Sequence, residues 1–144
     1  IFEISYSSNP AKEFYFTAAH NYGKFYDGTK YSFENSFFFR FQPKLLASIK
    51  LNYDAIKLNH LEKTAKLWLV GPKFDFSFTK KLYWATLIQF NSQSENLGIN
   101  SRLQWRFNGL SNLFLVYNDN YLVRENGPIA PRMRTLNLKI TYWF

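Results

Sequence analysis

The sequence predicts an all-β chain, and specifically an antiparallel, up-and-down transmembrane β-barrel. Three observations lead to this prediction. The chain is 21% aromatic, with 16 Phe, 10 Tyr and 4 Trp, yet its mean hydropathy is only −0.31. No apolar run approaches the roughly 18 residues that a spanning helix needs. The carboxy-terminal segment alternates strictly, and its apolar side carries Leu136, Leu138, Ile140, Tyr142 and Phe144.

A soluble β-sandwich is the alternative, because its strands also alternate between an apolar and a polar face. Aromatic alternation, however, recurs in nearly every segment of this chain. Large apolar patches exposed to water promote aggregation, so soluble domains rarely carry so many rings. The composition therefore favours the lipid-facing barrel over the sandwich.

Period-two runs between turn signals predict nine strands, or eight if the count is wrong by one. The predicted strands span residues 1–7, about 13–25, 30–42, 44–58, 65–78, 82–93, 97–107, 112–123 and about 134–144. Pro72 falls inside the fifth strand, where it removes a ladder donor, and it predicts a bulge or a local break. The intervening turns are marked by Asn9-Pro10, Asp27-Gly28, Pro43, residues 59–63, Lys80-Lys81, Glu95-Asn96, Asn108-Gly109 and a longer loop over residues 124–131.

Charged residues collect on the strand faces opposite the rings. A charge at the bilayer midplane costs about 2–4 kcal/mol, so these side chains are expected to point into the lumen. We expect Arg102 and Arg106 to pair with Glu3, Glu34, Asp54 or Asp75. Either an ion-pair network that fills the barrel or a polar channel or docking surface fits this pattern. The predicted lumen-facing residues are Glu34, Arg40, Lys50, Asp54, Lys73, Asp75, Arg102, Arg106 and Lys139.

The positions of the two termini indicate whether these strands are expected to form a whole barrel. Bacterial single-chain barrels have an even strand number, and nine strands would place Ile1 and Phe144 on opposite sides of the membrane. Residues 1–6 also alternate from the first position. We therefore expect residues 1–144 to form the carboxy-terminal portion of a larger barrel, with a small eight-stranded barrel as the alternative. The terminal aromatic strand resembles an outer-membrane assembly signal carried by Leu138, Ile140, Tyr142 and Phe144.

If Phe144 is periplasmic, the strand directions predict two aromatic girdles at the lipid interfaces. The periplasmic girdle would contain Phe41, Phe78, Trp84, Trp105, Phe107, Tyr142 and Phe144, and the outer girdle Tyr26, Tyr31, Phe33, Tyr53, Trp68 and Tyr121.

Few residues of the chain are suited to catalysis or to metal binding. The chain has no cysteine, which excludes disulfides and thiolate ligands. Its net charge is +8, but the basic residues are scattered, so nucleic acid is not an expected partner. His20 is expected on an apolar interface face and His60 in a solvated loop, and neither lies near a nucleophile motif. We expect no catalytic residue, metal or cofactor, and no enzyme activity in these residues.

Four motifs and the ending resemble one protein family. They are Tyr22 to Thr29, Gln89 to Ser94, Asn100 to Trp105, Leu113 to Asn118 and the ending Leu138 to Phe144. Together they resemble the carboxy-terminal barrel of a large uncharacterised family from Bacteroidota over about residues 14–144. The family usually has Pro-Gly-Ser-Asp before the eighth strand, where this chain has Asn-Gly-Leu-Ser-Asn at 108–112.

The resemblance implies an amino-terminal carbohydrate-binding module of the family 9 type, which would lie outside these residues. It implies an outer-membrane location in a Gram-negative bacterium, with lipid, the barrel assembly machinery and other envelope proteins or glycans as partners. The expected function is a membrane anchor or scaffold for glycan binding or for a larger envelope complex. A channel is the first alternative. The second, which rests on the hydrolase label many members carry, is an envelope hydrolase with its active site in the amino-terminal part.

Overall fold

The computed structural model describes all 144 residues, and the chain is all-β, as predicted. Each strand is antiparallel to its neighbours in one sheet ordered from β1 to β9. No helix capable of crossing a membrane is present. The strands are β1 (Phe2–Ser7), β2 (Phe14–Phe25), β3 (Gly28–Phe41), β4 (Leu45–Lys57), β5 (Thr64–Ser77), β6 (Leu82–Asn91), β7 (Asn96–Asn108), β8 (Ser111–Leu122) and β9 (Ala130–Thr141).

The last strand differs from its predicted limits at both ends. It begins at Ala130, inside the predicted loop, because Pro131 pairs with Tyr121 after a register shift. Proline is tolerated there because it lies near the start of β9 and beside the register shift, where the ladder is already interrupted. Strand β9 ends at Thr141, but Trp143 remains attached to β8 through its backbone N–H, which donates to Ser111 Oγ at 3.0 Å.

Pro72 interrupts one ladder without producing a bulge. It pairs with Ile49 in an unbroken β4–β5 register. On the other side, the β5–β6 pairing stops after Val70 and resumes at Lys73 in the same register. The missing proline donor therefore causes a local break, the second of the two predicted outcomes.

The pairing register sorts the strand side chains into two faces, because directly paired residues lie on the same side of a sheet. We call one the ring face, which carries for example Phe33, Tyr53, Trp68, Trp84 and Trp105. The opposite side, which contains Glu34 and Asn52, is the polar face.

Neither face covers a hydrophobic core. Only four of the 144 residues are buried, and none of them is hydrophobic. Rings on the ring face are exposed instead, with Trp105 at 47% and Phe41 at 57%. The two edges of the sheet, β1 and β9, are not hydrogen-bonded to each other. Closure into a barrel stays a prediction.

Candidate functional surface: the polar face

All nine predicted lumen-facing residues lie on the polar face. The pairing runs from Arg40 to Leu46, then to Asp75, Ala85 and Arg102, across five adjacent strands. The same parity includes Glu34, Lys50, Asp54, Lys73, Arg106 and Lys139. One side of the sheet therefore gathers these charges, and whether that side encloses a lumen stays a prediction.

The ion pairs on this face differ from those expected. Asp54 pairs with Lys30 and Asp75 with Lys73, each at 3.4 Å. Neither Arg102 nor Arg106 forms an ion pair. Ala85 lies between Arg102 and Asp75 in their row, so the two backbones are two strand spacings, or about 10 Å, apart.

A concavity of about 470 Å³ opens on the polar face over β6 to β9. Six side-chain amides line it, accompanied by Ser94 and Thr135. A second concavity of about 450 Å³ adjoins it, since both are lined by Leu87 and Asn100, and it adds Lys73, Asp75 and Arg102. The amides are Gln89, Asn91, Asn96, Asn100, Asn118 and Asn120.

The amides form a cross-strand network. Asn100 donates to Asn118, whose own amide donates to Thr135 Oγ1 at 3.4 Å. Asn96 donates to Asn120 Oδ1 at 3.3 Å. Each amide carries both donors and acceptors, so the group suits a neutral, hydroxyl-rich molecule better than an ion. Sequence reasoning missed this cluster because it followed charges, although the asparagines at 96, 100, 118 and 120 already shared the polar parity of β7 and β8.

A charged cluster on the ring face was also missed. Asp119, fully buried, pairs directly with Arg134. Its Oδ2 accepts from the hydroxyls of Tyr117 and Tyr121, both at 2.6 Å, and from Arg134 Nε and Nη2, both at 2.9 Å. The expectation that strand charges lie opposite the rings is therefore wrong at this position, and also at three lysines of β2, β4 and β5. Its only sequence signal is that Asp119 and Arg134 both interrupt an apolar alternation.

The two histidines lie in different settings. His20 is on the ring face, as expected, where its Nδ1 is 3.2 Å from the Tyr31 hydroxyl and its ring is 5.7 Å from that of Phe33. His60 is in the loop between β4 and β5, and its Nδ1 lies 2.6 Å from Asp27 Oδ2. No cluster of three or more His, Cys, Asp or Glu forms that could hold a metal ion.

The contact between His60 and Asp27 ties two loops together at one end of the sheet. The His60 backbone N–H also donates to Asp27 Oδ2 at 3.1 Å, and the Asn59 amide donates to the Asp27 carbonyl. The hydrogen bond from the His60 side chain lowers the pKa of Asp27 below its ordinary value of 3.8. The turn residue and the loop histidine thus act as one clamp, which sequence reasoning had treated as two separate features.

The predicted assembly signal lies at the other end of the sheet. Leu138 and Ile140 are on the ring face and are about 60% exposed, at 62% and 59%. The Tyr142 ring lies 5.1 Å from that of Phe144 and 6.4 Å from that of Phe107. The chain therefore ends in a small group of rings that continues the ring face.

Among known proteins, no family model, curated protein or solved structure matches this chain. The resemblance to the Bacteroidota family and all that it implies stay predictions.

Proposed function

We propose that this sheet is inserted in the outer membrane of a Gram-negative bacterium as part of a β-barrel. There it serves as an anchor or scaffold for glycan binding or for a larger envelope complex. The observation that supports insertion is the separation of two faces without a core. In water, the ring face would leave its rings solvated, whereas lipid would cover them.

The positions of the rings support strands that cross the membrane from one side to the other. Tyr31, Phe33, Tyr53 and Trp68 form one connected cluster, with centroids 4.3–6.5 Å apart. A second cluster at the opposite end contains Trp105, Phe107, Tyr142 and Phe144. Two aromatic bands separated along the strands are typical of side chains at the two lipid–water interfaces.

The polar face supports the scaffold function. Its amide-lined concavity offers paired donors and acceptors for hydroxyl groups, which agrees with the glycan partner that the resemblance implies. Transport is the second candidate, because Arg102 and Arg106 are free of ion pairs on the same face. A polar, charged face is also what a water-filled channel requires.

Quenching of tryptophan fluorescence by brominated lipids tests insertion. Trp68, Trp84 and Trp105 lie on the ring face, whereas Trp143 follows the opposite parity at the end of β9. A Trp143→Phe variant should therefore retain nearly all of the quenching. Protein that stays soluble without detergent, with unquenched tryptophans, would contradict the proposal.

Conductance in a planar bilayer separates the two candidate functions. Ion-conducting steps from the purified protein would favour transport over the scaffold. The scaffold would be supported by protein that conducts no ions although brominated lipid quenches its tryptophans. That protein should also bind neutral oligosaccharide, and Asn100→Leu and Asn118→Leu should abolish this binding.

A further inference from the structure

Charged residues on the ring face are confined to one end of the sheet. Apart from Asp119 and Arg134, the charged residues on this face that have a regular cross-strand partner are Lys24, Lys57 and Lys66. We call these three the lysine triad. The other half of the ring face has no charged strand residue, so the asymmetry follows the strand axis.

The triad is compact. Lys24 pairs with Thr29, Thr29 pairs with Lys57, and Lys57 pairs with Thr64, so these four residues form one row across β2 to β5. Lys66 lies one pair inward, opposite Ala55. With strand spacings of about 4.8 Å, the two lysines of the row are about 10 Å apart at the backbone, within reach of one ligand for such long side chains.

No carboxylate neutralises the triad. All three lysines are exposed, and none forms an ion pair. On the facing strands, Glu34 and Asp54 point to the polar face. Of the acidic residues in the adjoining loops, Asp27 is hydrogen-bonded by His60, and Glu62 forms no ion pair.

The layer next to the triad is aromatic. Moving inward along the same strands, the ring face presents Tyr31, Phe33, Tyr53, Trp68 and His20 in mutual contact. From the membrane interior outward, rings followed by lysines are typical of a membrane interface. Rings lie there at the level of the headgroups, and cations contact the lipid phosphates.

We propose that the lysine triad binds the phosphate groups of an anionic lipid in the leaflet next to the β2–β3 and β4–β5 connections. With Phe144 on the periplasmic side, that leaflet is the outer one. The Thr29 and Thr64 hydroxyls add donors to the same row. This inference rests on the proposed membrane insertion and adds a lipid class to it.

Lipid binding to the detergent-solubilised protein, measured by native mass spectrometry, tests the proposal. The probes are diphosphoryl lipid A and the same lipid with its phosphates removed. Since each lysine near an anionic surface adds to the attraction, we expect the Lys24→Gln/Lys57→Gln/Lys66→Gln variant to bind diphosphoryl lipid A at least about tenfold more weakly. The matched control, Lys44→Gln/Lys80→Gln/Lys81→Gln, removes equal charge from the exposed connections at the opposite end and should bind as the wild type does.

Four results would overturn the proposal. They are an equal loss in the control variant, equal binding of dephosphorylated lipid, displacement of the lipid by inorganic phosphate at similar concentration, or unchanged binding in a triad variant with native β-sheet circular dichroism. Protein whose tryptophans are quenched by brominated lipid but which fails these comparisons would refute only the lipid site. Protein that does not insert at all would refute the proposed function as well.

Discussion

Asp119 is the one acidic residue whose strand position places it on the ring face. Two tyrosine hydroxyls and both guanidinium nitrogens that face it converge on Oδ2, while Oδ1 has no partner. A buried carboxylate without partners would be strongly unfavourable, so Arg134 and the tyrosines must remain in place together. The cluster fixes the register of β9 on β8 close to the shift at Asn120 and Tyr121.

Replacing Asp119 by Asn should lower the urea midpoint for unfolding from detergent. The amide keeps the shape but removes the charge that Arg134 and the tyrosines bind. The double variant Asp119→Asn/Arg134→Gln should recover part of the loss, since it no longer leaves a guanidinium without its counter-charge. A loss in the double variant equal to the sum of the losses in the two single variants would show that the two side chains act independently.

Asp27 should make the clamp between the two loops sensitive to acid. His60 lowers the pKa of this carboxyl below 3.8 in the folded chain. The carboxylate therefore contributes stability that is fully present above pH 3.8 and is lost as the pH falls through the lowered value. The amide proton of His60, which donates to Asp27 Oδ2, should report this in an NMR titration with a midpoint below 3.8. Asp27→Asn should abolish the transition, and a midpoint at or above 3.8 would contradict the assignment.

At the scale of elements, the alternation of rings and polar residues predicts each strand, because period two is a local property of the sequence. The paired partners of loops and of charges are not local. Asp27 and His60 are 33 positions apart, and only the pairing of β3 with β4 brings them together. Pro131 was predicted to lie in a loop, and its place beside the register shift near the start of β9 is what lets a proline join the strand.

The β2–β3 hairpin depends on Gly28. A Cβ built on this buried residue would overlap the carbonyl oxygen of Lys57. We expect Gly28→Ala to reduce the free energy of unfolding by about 1–3 kcal/mol, as overpacking does elsewhere. Gly71→Ala is the matched control, because its Cβ would find its nearest neighbour at 3.8 Å, an ordinary contact. Equal effects of the two substitutions in chemical denaturation would show that the close approach is not maintained.

The end of β9 should matter for assembly more than for folded stability. Phe144 is fully exposed and contacts only the Tyr142 ring among aromatic groups. Deleting it should lower the yield of membrane-inserted protein in cells several-fold and leave the unfolding midpoint of the refolded protein nearly unchanged. Trp143→Ala is the control from the opposite face. Normal insertion without Phe144 would argue against an assembly signal.

At the scale of the whole molecule, the sheet has two open edges. In lipid, each unpaired backbone group costs several kcal/mol, so both edges need partners. We expect β9 to hydrogen-bond in the membrane to a strand outside these residues. Hydrogen exchange should then show protection of the β9 amides that point away from β8. Cross-links between cysteines introduced into β1 and β9 of one chain would instead demonstrate a sealed cylinder built from these strands alone.

The order of the strands in the sheet is their order in the chain, so every strand is hydrogen-bonded only to its predecessor and its successor. No hydrogen-bond ladder joins strands that are distant in the chain, so the sheet can grow by adding one hairpin at a time. Removing one whole interior hairpin, such as β6 with β7, would bring β5 next to β8. The pairs β1 to β5 and β8 with β9 would not be changed. The width of the sheet therefore depends on how many hairpins are joined in sequence.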